Sequence, residues 1–252
     1  MKNITRVYGL QVLQSIFEHK PYIIQSLWMT QRNDEKMQSL RDVAKEHQIK
    51  VQMAMPQTLD KLANKGIHQG VVADIQVDNL LTEQDLPEYL QQSPKTSLIL
   101  LLDGIQDPHN LGACLRSAEA AGVDLVIMPK DRAAGLTPVV RRTACGAAEL
   151  LPIAIITNLA RVIETCQSNG YWVVGTSDAA DRSLYPGDGE KPLQGKVALV
   201  MGNEGEGLRQ LTQKRCDDLR CLPMQGHVSS LNVSVETGIT LFEIRRQQKE
   251  CL

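Results

Sequence analysis

The sequence feature that most constrains the fold is an uninterrupted apolar run of strand length near the middle of the chain. Residues 97–102 read SLILLL, with no polar side chain after the first. A strand with one face in solvent alternates apolar and polar residues, so this run indicates a parallel strand that is buried on both faces. Parallel strands need long crossover connections, usually helices, and the neighbouring sequence should therefore alternate between strand and helix.

The C-terminal part of the chain shows this alternation. Strand-like segments occupy residues 125–128, 153–156, 171–176, 197–201 and 219–222, and segments of helical periodicity occupy 111–121, 138–148, 159–167, 208–215 and 231–246. Gly122 follows the first of these helices and suits a C-terminal cap. The pattern predicts an α/β fold, a parallel sheet with helices on both faces.

A smaller α/β unit precedes this sheet. Helical spacing is found at residues 7–17 and 34–47, and strand-like segments at 23–29, 49–55 and 71–77. A polar stretch with two prolines, in which a short helix is expected over residues 83–91, then separates the two parts, and its composition is typical of a linker. We therefore predict an N-terminal domain over residues 1–76, a linker over 77–95 and a C-terminal domain over 96–252.

Net charge limits the kinds of partner. The formal charge is −2, so a nucleic-acid-binding protein of this composition must use a local basic patch. Candidates for contacts to phosphate are Lys61, Lys65, Arg132, Arg141 and Arg142.

The N-terminus lacks an apolar signal segment and no apolar run approaches the roughly 20 residues of a membrane span, so we expect a cytoplasmic protein without a membrane partner. The six cysteines form no C-x-x-C pair, which favours reduced thiols.

Three unusual loops are predicted at the carboxyl ends of strands, where open parallel sheets bind ligands. The first loop reads DGIQDPHNLG over residues 103–112, and Asn110 is well placed to cap the helix that follows. Arg116 lies six residues further on among small and apolar residues, so it is either a buried ion-pair partner or a cation facing a ligand. Asp103, Asp107 and His109 are weak candidates for a metal site because they come from one loop, and no metal is predicted.

The second loop reads MGNEGEG over residues 201–207. Its glycine order is G-x-x-G-x-G rather than the G-x-G-x-x-G of dinucleotide-binding loops, which argues against a nicotinamide oxidoreductase. Glu204 and Glu206 would also repel a pyrophosphate. The loop is either a tight turn with solvated acids or a close backbone approach to an uncharged or cationic ligand, such as a sulfonium.

The third loop, residues 222–234, reads LPMQGHVSSLNVS, in which Ser229, Ser230 and Asn232 each suit a helix cap. Together the segments DPHNLGACLRSAEAAG, ALVMGNEGEGL and LPMQGHVSSLNVSVETGI resemble, in order and spacing, the three motifs of the SpoU branch of the SPOUT methyltransferases. VYGLQVLQ, IHQGVVA and KDRAAGLTPVVRRTACGAAE narrow this resemblance to the bacterial enzymes that methylate a guanosine 2′-hydroxyl in 23S rRNA. The resemblance covers essentially the whole chain.

The resemblance implies a fold, an activity and partners. It implies a deep trefoil knot in the C-terminal domain, an N-terminal domain like ribosomal protein L30e that binds RNA, and a homodimer. The activity it implies is S-adenosylmethionine-dependent methylation of a ribose in the P loop of the peptidyl-transferase centre, on 23S rRNA or a precursor of the large ribosomal subunit. Two alternatives stay open: a tRNA ribose methyltransferase of the same branch, and an RNA-binding module that has lost catalysis.

The resemblance also implies site residues. The catalytic set it implies is Asn110, Arg116, Glu204, Ser230 and Asn232. The S-adenosylmethionine set it implies is Thr176, Gly202, Leu222, Met224 and Leu231.

The role of Arg116 is open at this point. Family proposals make the equivalent arginine the general base, but a guanidinium is effectively always protonated. Either an unusual pocket deprotonates Arg116, or Arg116 clamps an RNA phosphate and stabilises the developing alkoxide while another group takes the proton. Physical chemistry favours the clamp. Glu204 could orient Arg116, Ser230 or Asn232, or could itself be the base.

Overall fold

A computed structural model describes residues 4–77, 80–187, 192–203, 205 and 207–249. The strands are β1 (Ile4–Tyr8), β2 (Ile24–Met29), β3 (Val51–Met53), β4 (Val71–Gln76), β5 (Leu81–Thr82), β6 (Ser97–Leu102), β7 (Leu125–Pro129), β8 (Ile153–Ile156), β9 (Trp172–Thr176), β10 (Arg182–Ser183), β11 (Lys196–Met201) and β12 (Asp218–Cys221). The helices are α1 (Leu10–His19), α2 (Glu35–Glu46), α3 (Pro56–Leu62), α4 (Leu86–Gln91), α5 (Pro108–Ala120), α6 (Pro138–Thr143), α7 (Ala147–Leu150), α8 (Leu159–Ser168), α9 (Gln210–Arg215) and α10 (Val233–Lys249). The chain divides into two compact units, residues 1–79 with 136–150, and residues 80–135 with 151–252.

The smaller unit contains a mixed four-stranded sheet in the order β1-β4-β2-β3. β4 pairs antiparallel with β1 and β2, and β3 pairs parallel with β2. The amphipathic helix α1 buries one face, including Leu13 and Ile16, in a core shared with α2 and the sheet. Gly9 separates β1 from α1 with a φ of 103°, a conformation that favours glycine. The predicted helix over residues 7–17 is therefore wrong at its start, because Val7 and Tyr8 belong to β1.

The smaller unit also includes the two short helices α6 and α7. Residues 138–148 were predicted as one helix, but Cys145 and Gly146 between α6 and α7 have φ angles of 52° and 98° and end the first helix. Arg141 is 6% exposed and its guanidinium lies 2.5 Å from the carboxylate of Glu149. Arg141 is thus a structural ion-pair partner, and its prediction as a phosphate contact is wrong.

The larger unit is built on an eight-stranded sheet in the order β10-β12-β9-β11-β6-β7-β8-β5. Every pairing in it is parallel, as the sequence predicted. All six residues of β6 are buried at the centre of the sheet, which confirms the interpretation of the run at 97–102. Gly122, with a φ of 65°, follows the end of α5 as expected for a C-terminal glycine.

The stretch predicted as a linker is not a bare connection. It contains β5, which pairs with β8, and α4, whose Leu86 and Leu90 are fully buried in the core of the larger unit. These two leucines are four residues apart and so share one face of the helix, which gives the segment an apolar anchor. None of the described helices is both long enough and apolar enough to span a bilayer.

Candidate active site

The three loops of interest meet at one edge of the large sheet because the register of its strands brings their carboxyl ends together. Met201 at the end of β11 pairs with Leu102 at the end of β6. On the other side of β11, Val200 pairs with Gly175, and the next residue, Thr176, pairs with Arg220 of β12. The segments that follow β6, β9, β11 and β12 therefore leave the sheet side by side, where such sheets bind ligands.

The first loop delivers Asn110 to this edge on helix α5. The N-cap of α5 is Asp107, whose carboxylate accepts hydrogen bonds from the backbone N–H groups of His109 and Asn110 at 3.3 and 3.2 Å. Pro108 occupies the first helical position, where its fixed φ and missing N–H are tolerated. The prediction of Asn110 as the cap is therefore wrong, and its side chain serves another contact.

That contact joins the first loop to the third. The Asn110 Oδ1 accepts a hydrogen bond from Asn232 Nδ2 at 3.0 Å. Asn232 in turn caps α10, because its Oδ1 accepts from the Ser234 backbone N–H at 3.0 Å and from the Ser234 hydroxyl at 2.6 Å. Ser234 thus fixes the orientation of the Asn232 amide. The result is a solvent-accessible polar pair at the edge of the sheet.

The second loop turns back on itself beside this pair. The Asn203 N–H donates to the Gly207 carbonyl at 3.2 Å in an isolated bridge. A side chain at Gly202 would collide with the backbone of Gly207 and Leu208, so the turn requires glycine there. Glu204, predicted as catalytic, and Glu206 lie outside the described residues.

Asp103 ties the second loop to the end of β6. It is fully buried, and its Oδ2 accepts from the Arg209 backbone N–H at 3.2 Å and from the Thr212 hydroxyl at 2.8 Å. The Arg209 guanidinium lies 3.5 Å from Oδ1. Asp103 therefore positions the start of α9, and Asp107 is committed to capping α5. Within the described part of the chain, no cluster of His, Cys, Asp and Glu is arranged to hold a metal ion.

A cavity of about 270 Å³ opens between the second loop, the third loop and the segment at the end of β9. Its described lining residues are Thr176, Ser177, Asp178, Ala179, Met201, Gly202, Asn203, Gly205, Gly207, Leu208, Gln213, Ser230, Leu231, Val233 and Glu236. Of the predicted site residues, it brings together Thr176, Gly202, Ser230 and Leu231. Leu222 and Met224 are half-buried in the segment between β12 and α10, apart from the described lining.

The charged groups of the cavity are acidic. Asp178 and Glu236 line it, and its described lining contains no lysine or arginine. Burial is the main cause that raises the pKa of Glu236 above its ordinary value of 4.5; a hydrogen bond with Thr176 opposes this shift, and the nearby charge of Asp178 adds to it. The lining thus suits a ligand that is neutral or positively charged, and it does not suit a phosphate.

Arg116 and three of the basic candidates lie on exposed surface. Arg116 is exposed on α5, which excludes the alternative of a buried ion pair. Lys61, Lys65 and Arg132 are exposed and can reach a phosphate. Arg142 is half-buried.

Sequence reasoning missed Asp178, Ser234 and Glu236. Asp178 follows the carboxyl end of β9, and the rule that singled out the other three loops applies equally to it. Glu236 lies four residues after Asn232, a spacing that places two residues on the same side of a helix. Both signals were available in the sequence.

Comparison with known proteins gives the family of each part of the chain. Residues 97–242 match the model of the SpoU rRNA Methylase family, and residues 6–79 match the model described as RNA 2′-O ribose methyltransferase substrate binding. The 23S rRNA (guanosine-2′-O-)-methyltransferase RlmB of Pseudomonas aeruginosa is 48% identical over 249 residues, with 98% of each chain covered. RlmB of Escherichia coli K12 is 44% identical over 243 residues, covering 96% of this chain and 98% of the relative.

Solved structures share the fold. The SpoU methyltransferase AviRb from Streptomyces viridochromogenes, in complex with the cofactor AdoMet, superposes with a TM-score of 0.76 at 24% identity, covering 97% of this chain and 90% of AviRb. The TrmH/SpoU tRNA modifying enzyme of A. aeolicus has a TM-score of 0.54 at 27% identity, covering 67% of this chain and 83% of that enzyme.

Proposed function

The chain belongs to the SpoU rRNA methylase family, and from this premise we propose that it transfers a methyl group from S-adenosylmethionine to the 2′-hydroxyl of a guanosine in 23S rRNA. The observation that carries the proposal is the start of α10. There Asn232 holds Asn110 while its neighbours Leu231 and Val233 line the cavity. A substrate group at the polar pair would therefore lie directly beside a ligand in the cavity.

The cavity has the properties that S-adenosylmethionine requires. Its carboxylates suit a cationic ligand, and the backbone around Gly202 is open to close approach. Thr176, Gly202 and Leu231 would hold the cofactor, with Leu222 and Met224 contributing from the loop after β12. When bound, the cofactor supplies a methyl group on a positively charged sulfur, which is a good electrophile.

The chain's own residues have to align the ribose and remove its proton, because a hydroxyl is a poor nucleophile at neutral pH. Ser234 fixes Asn232, and Asn232 fixes Asn110, so this pair can orient the ribose without reorganising. Ser230 is exposed and lines the cavity, where it is a further hydrogen-bonding group. The proton acceptor predicted from the sequence is Glu204.

Arg116 is proposed as the phosphate clamp, because an exposed guanidinium keeps its charge and matches two phosphate oxygens. The substitution Arg116→Lys keeps the positive charge but loses the planar pair of N–H groups that can bind two phosphate oxygens at once. We expect it to retain RNA binding within about threefold and to lose about 100-fold in turnover, the size expected from misplacing the reacting ribose. Single-turnover rates and RNA-binding isotherms measure the two effects, and a variant with a wild-type rate would contradict the clamp.

The N-terminal unit is proposed to bind the rRNA at a distance from the methylated ribose. The exposed Lys61 and Lys65 lie within the region matched by the substrate-binding model. A local patch of this kind is what a chain with a net charge of −2 requires. An enzyme acting on bacterial 23S rRNA or on its ribosomal precursors would work in the cytoplasm. The P loop of the peptidyl-transferase centre stays the predicted target region.

A homodimer is proposed from the outer face of α10. Val235 is 50% exposed and Phe242 is 54% exposed, and the partly exposed Ile239 lies between them. The spacing of four and then three residues places the three side chains in one apolar stripe along the helix. A two-fold axis that pairs this stripe with itself would bury it in a second copy of the chain.

The experiment that tests the proposed function compares two RNA substrates and a control without RNA. Labelled S-adenosylmethionine is supplied with unmodified 23S rRNA, unmodified bulk tRNA or no RNA, and the label retained in RNA is counted. We expect label in 23S rRNA alone. Label in tRNA alone would support a tRNA enzyme instead, and cofactor binding with no transfer to either RNA would support a catalytically silent binding module.

A further inference from the structure

Two carboxylates of the cavity lining, those of Glu236 and Asp178, take no part in orienting the ribose or in removing its proton. We call these two residues the acidic side of the cavity. Glu236 lies in the first turns of α10 and is half-buried, and Asp178 lies in the segment that follows β9. Both carboxylates line the same cavity, and the described lining carries no basic side chain to neutralise them. Two acids that face one cavity without a cation create a local negative potential, and this potential acts on the charge of whatever binds there.

The side chain beside Glu236 carries no charge. Thr176 lowers the pKa of Glu236, but its hydroxyl donates to Met201 Sδ at 3.7 Å, and its backbone is anchored at the end of β9 by pairing with Arg220. A neutral neighbour does not offset the charge of the carboxylate. Burial and the charge of Asp178 both disfavour the ionised form, and a cation placed in the cavity would reverse this preference. The Glu236 carboxylate therefore favours a positively charged ligand in the cavity over a neutral one.

We propose that Glu236, assisted by Asp178, makes the cavity selective for the charge on the sulfur of the cofactor. In the reaction, the bond between sulfur and the methyl carbon breaks as the bond between that carbon and the ribose oxygen forms. The electron pair of the broken bond stays on sulfur, and the hydroxyl proton leaves to an acceptor. The sulfonium therefore becomes a neutral thioether, and the ligand loses one positive charge. The two carboxylates of the acidic side therefore attract the sulfonium of S-adenosylmethionine and do not attract the neutral sulfur of S-adenosylhomocysteine.

This inference rests on the proposed use of S-adenosylmethionine and adds a specificity-determining residue to it. A competing role for Glu236 is hydrogen bonding to the hydroxyls of the cofactor's own ribose. Those hydroxyls are identical in substrate and product, so that role would change the affinity for both ligands equally. The two roles are therefore separable by comparing the two ligands.

The test is calorimetric binding of S-adenosylmethionine and S-adenosylhomocysteine to the full chain, without RNA or turnover. The variants are Glu236→Gln and Asp178→Asn, which remove charge but keep the shape of the side chain. Asp181→Asn is the matched control, because Asp181 is an exposed acid three residues after Asp178 and outside the described lining.

We expect Glu236→Gln to weaken S-adenosylmethionine binding about tenfold and to leave S-adenosylhomocysteine within about twofold of wild type, since tenfold is what one modest charge interaction provides. Asp178→Asn should show the same pattern more weakly because Asp178 is exposed, and Asp181→Asn should show no change. Equal losses for both ligands, or no loss for either, would overturn the inference while leaving the proposed function standing. A wild-type chain that binds neither ligand would overturn both.

Discussion

Replacing Gly202 with alanine tests whether the glycine loop forms the wall of the cofactor site. The new methyl group would lie closer than 3.0 Å to three backbone atoms, namely the carbonyl carbon and oxygen of Gly207 and the nitrogen of Leu208. Backbone atoms cannot rotate away as a side chain can, so the loop has to move by about 1 Å, a displacement that can cost about 100-fold in an oriented site. A factor of 100 corresponds to about 2.7 kcal/mol.

The matched control for this change is Gly135→Ala. Gly135 belongs to the same unit but lies outside the described lining of the cavity, a Cβ there meets no atom within 4 Å, and its φ lies outside the range that favours glycine. We expect Gly202→Ala to weaken S-adenosylmethionine binding about 100-fold, measured by calorimetry, and Gly135→Ala to bind within about twofold of wild type. Both variants should keep a cooperative thermal transition. Binding by Gly202→Ala within about threefold of wild type would refute the assigned role of the loop.

Three further changes have defined outcomes. Arg141→Met should destabilise the chain by about 3–5 kcal/mol in urea unfolding, because it leaves the Glu149 carboxylate buried without its partner, and adding Glu149→Leu should restore most of the loss; an unchanged midpoint for the single variant would contradict this. Because burial raises the pKa of Glu236 above 4.5, affinity for S-adenosylmethionine should fall as the pH falls through that raised pKa, and binding there should release protons. Calorimetry in two buffers of different ionisation enthalpy measures the release, and its absence in Glu236→Gln is the control. Phe242→Asp should convert a dimer into a monomer in light scattering, whereas a monomeric wild-type chain would refute the proposed interface.

The elements of the large sheet could be predicted from the sequence where the signal is local. The run at 97–102 reports burial on both faces directly, and the observed strand has the predicted bounds. The capping of α5 was mispredicted although its signal is also local. Asp107 and Asn110 are both good caps, and Pro108 decides between them because proline favours the first helical position. The short helix expected within the linker is present as α4, but the burial of its Leu86 and Leu90 depends on contacts with the large sheet that the polar composition of the segment does not report.

The geometry of the site could not be derived from sequence periodicity. Asn110 and Asn232 are 122 residues apart, and their contact depends on the order of β6, β11, β9 and β12 in the sheet. Strand order depends on which long-range pairings bury the most surface, and no local pattern reports it. The resemblance to a known family supplied the residues that periodicity could not. The trefoil knot and the likeness to ribosomal protein L30e rest on that resemblance alone and stay predictions.

The most direct test of the central claim is the identity of the methylated nucleoside. Unmodified 23S rRNA is treated with the chain and S-adenosylmethionine and digested to nucleosides, and the products are separated by mass; resistance to alkaline cleavage then locates the modified ribose. We predict 2′-O-methylguanosine at one position, formed by the wild-type chain and by Gly135→Ala but greatly reduced with Gly202→Ala. A methyl group on a base, or on the ribose of a nucleotide other than guanosine, would contradict the account.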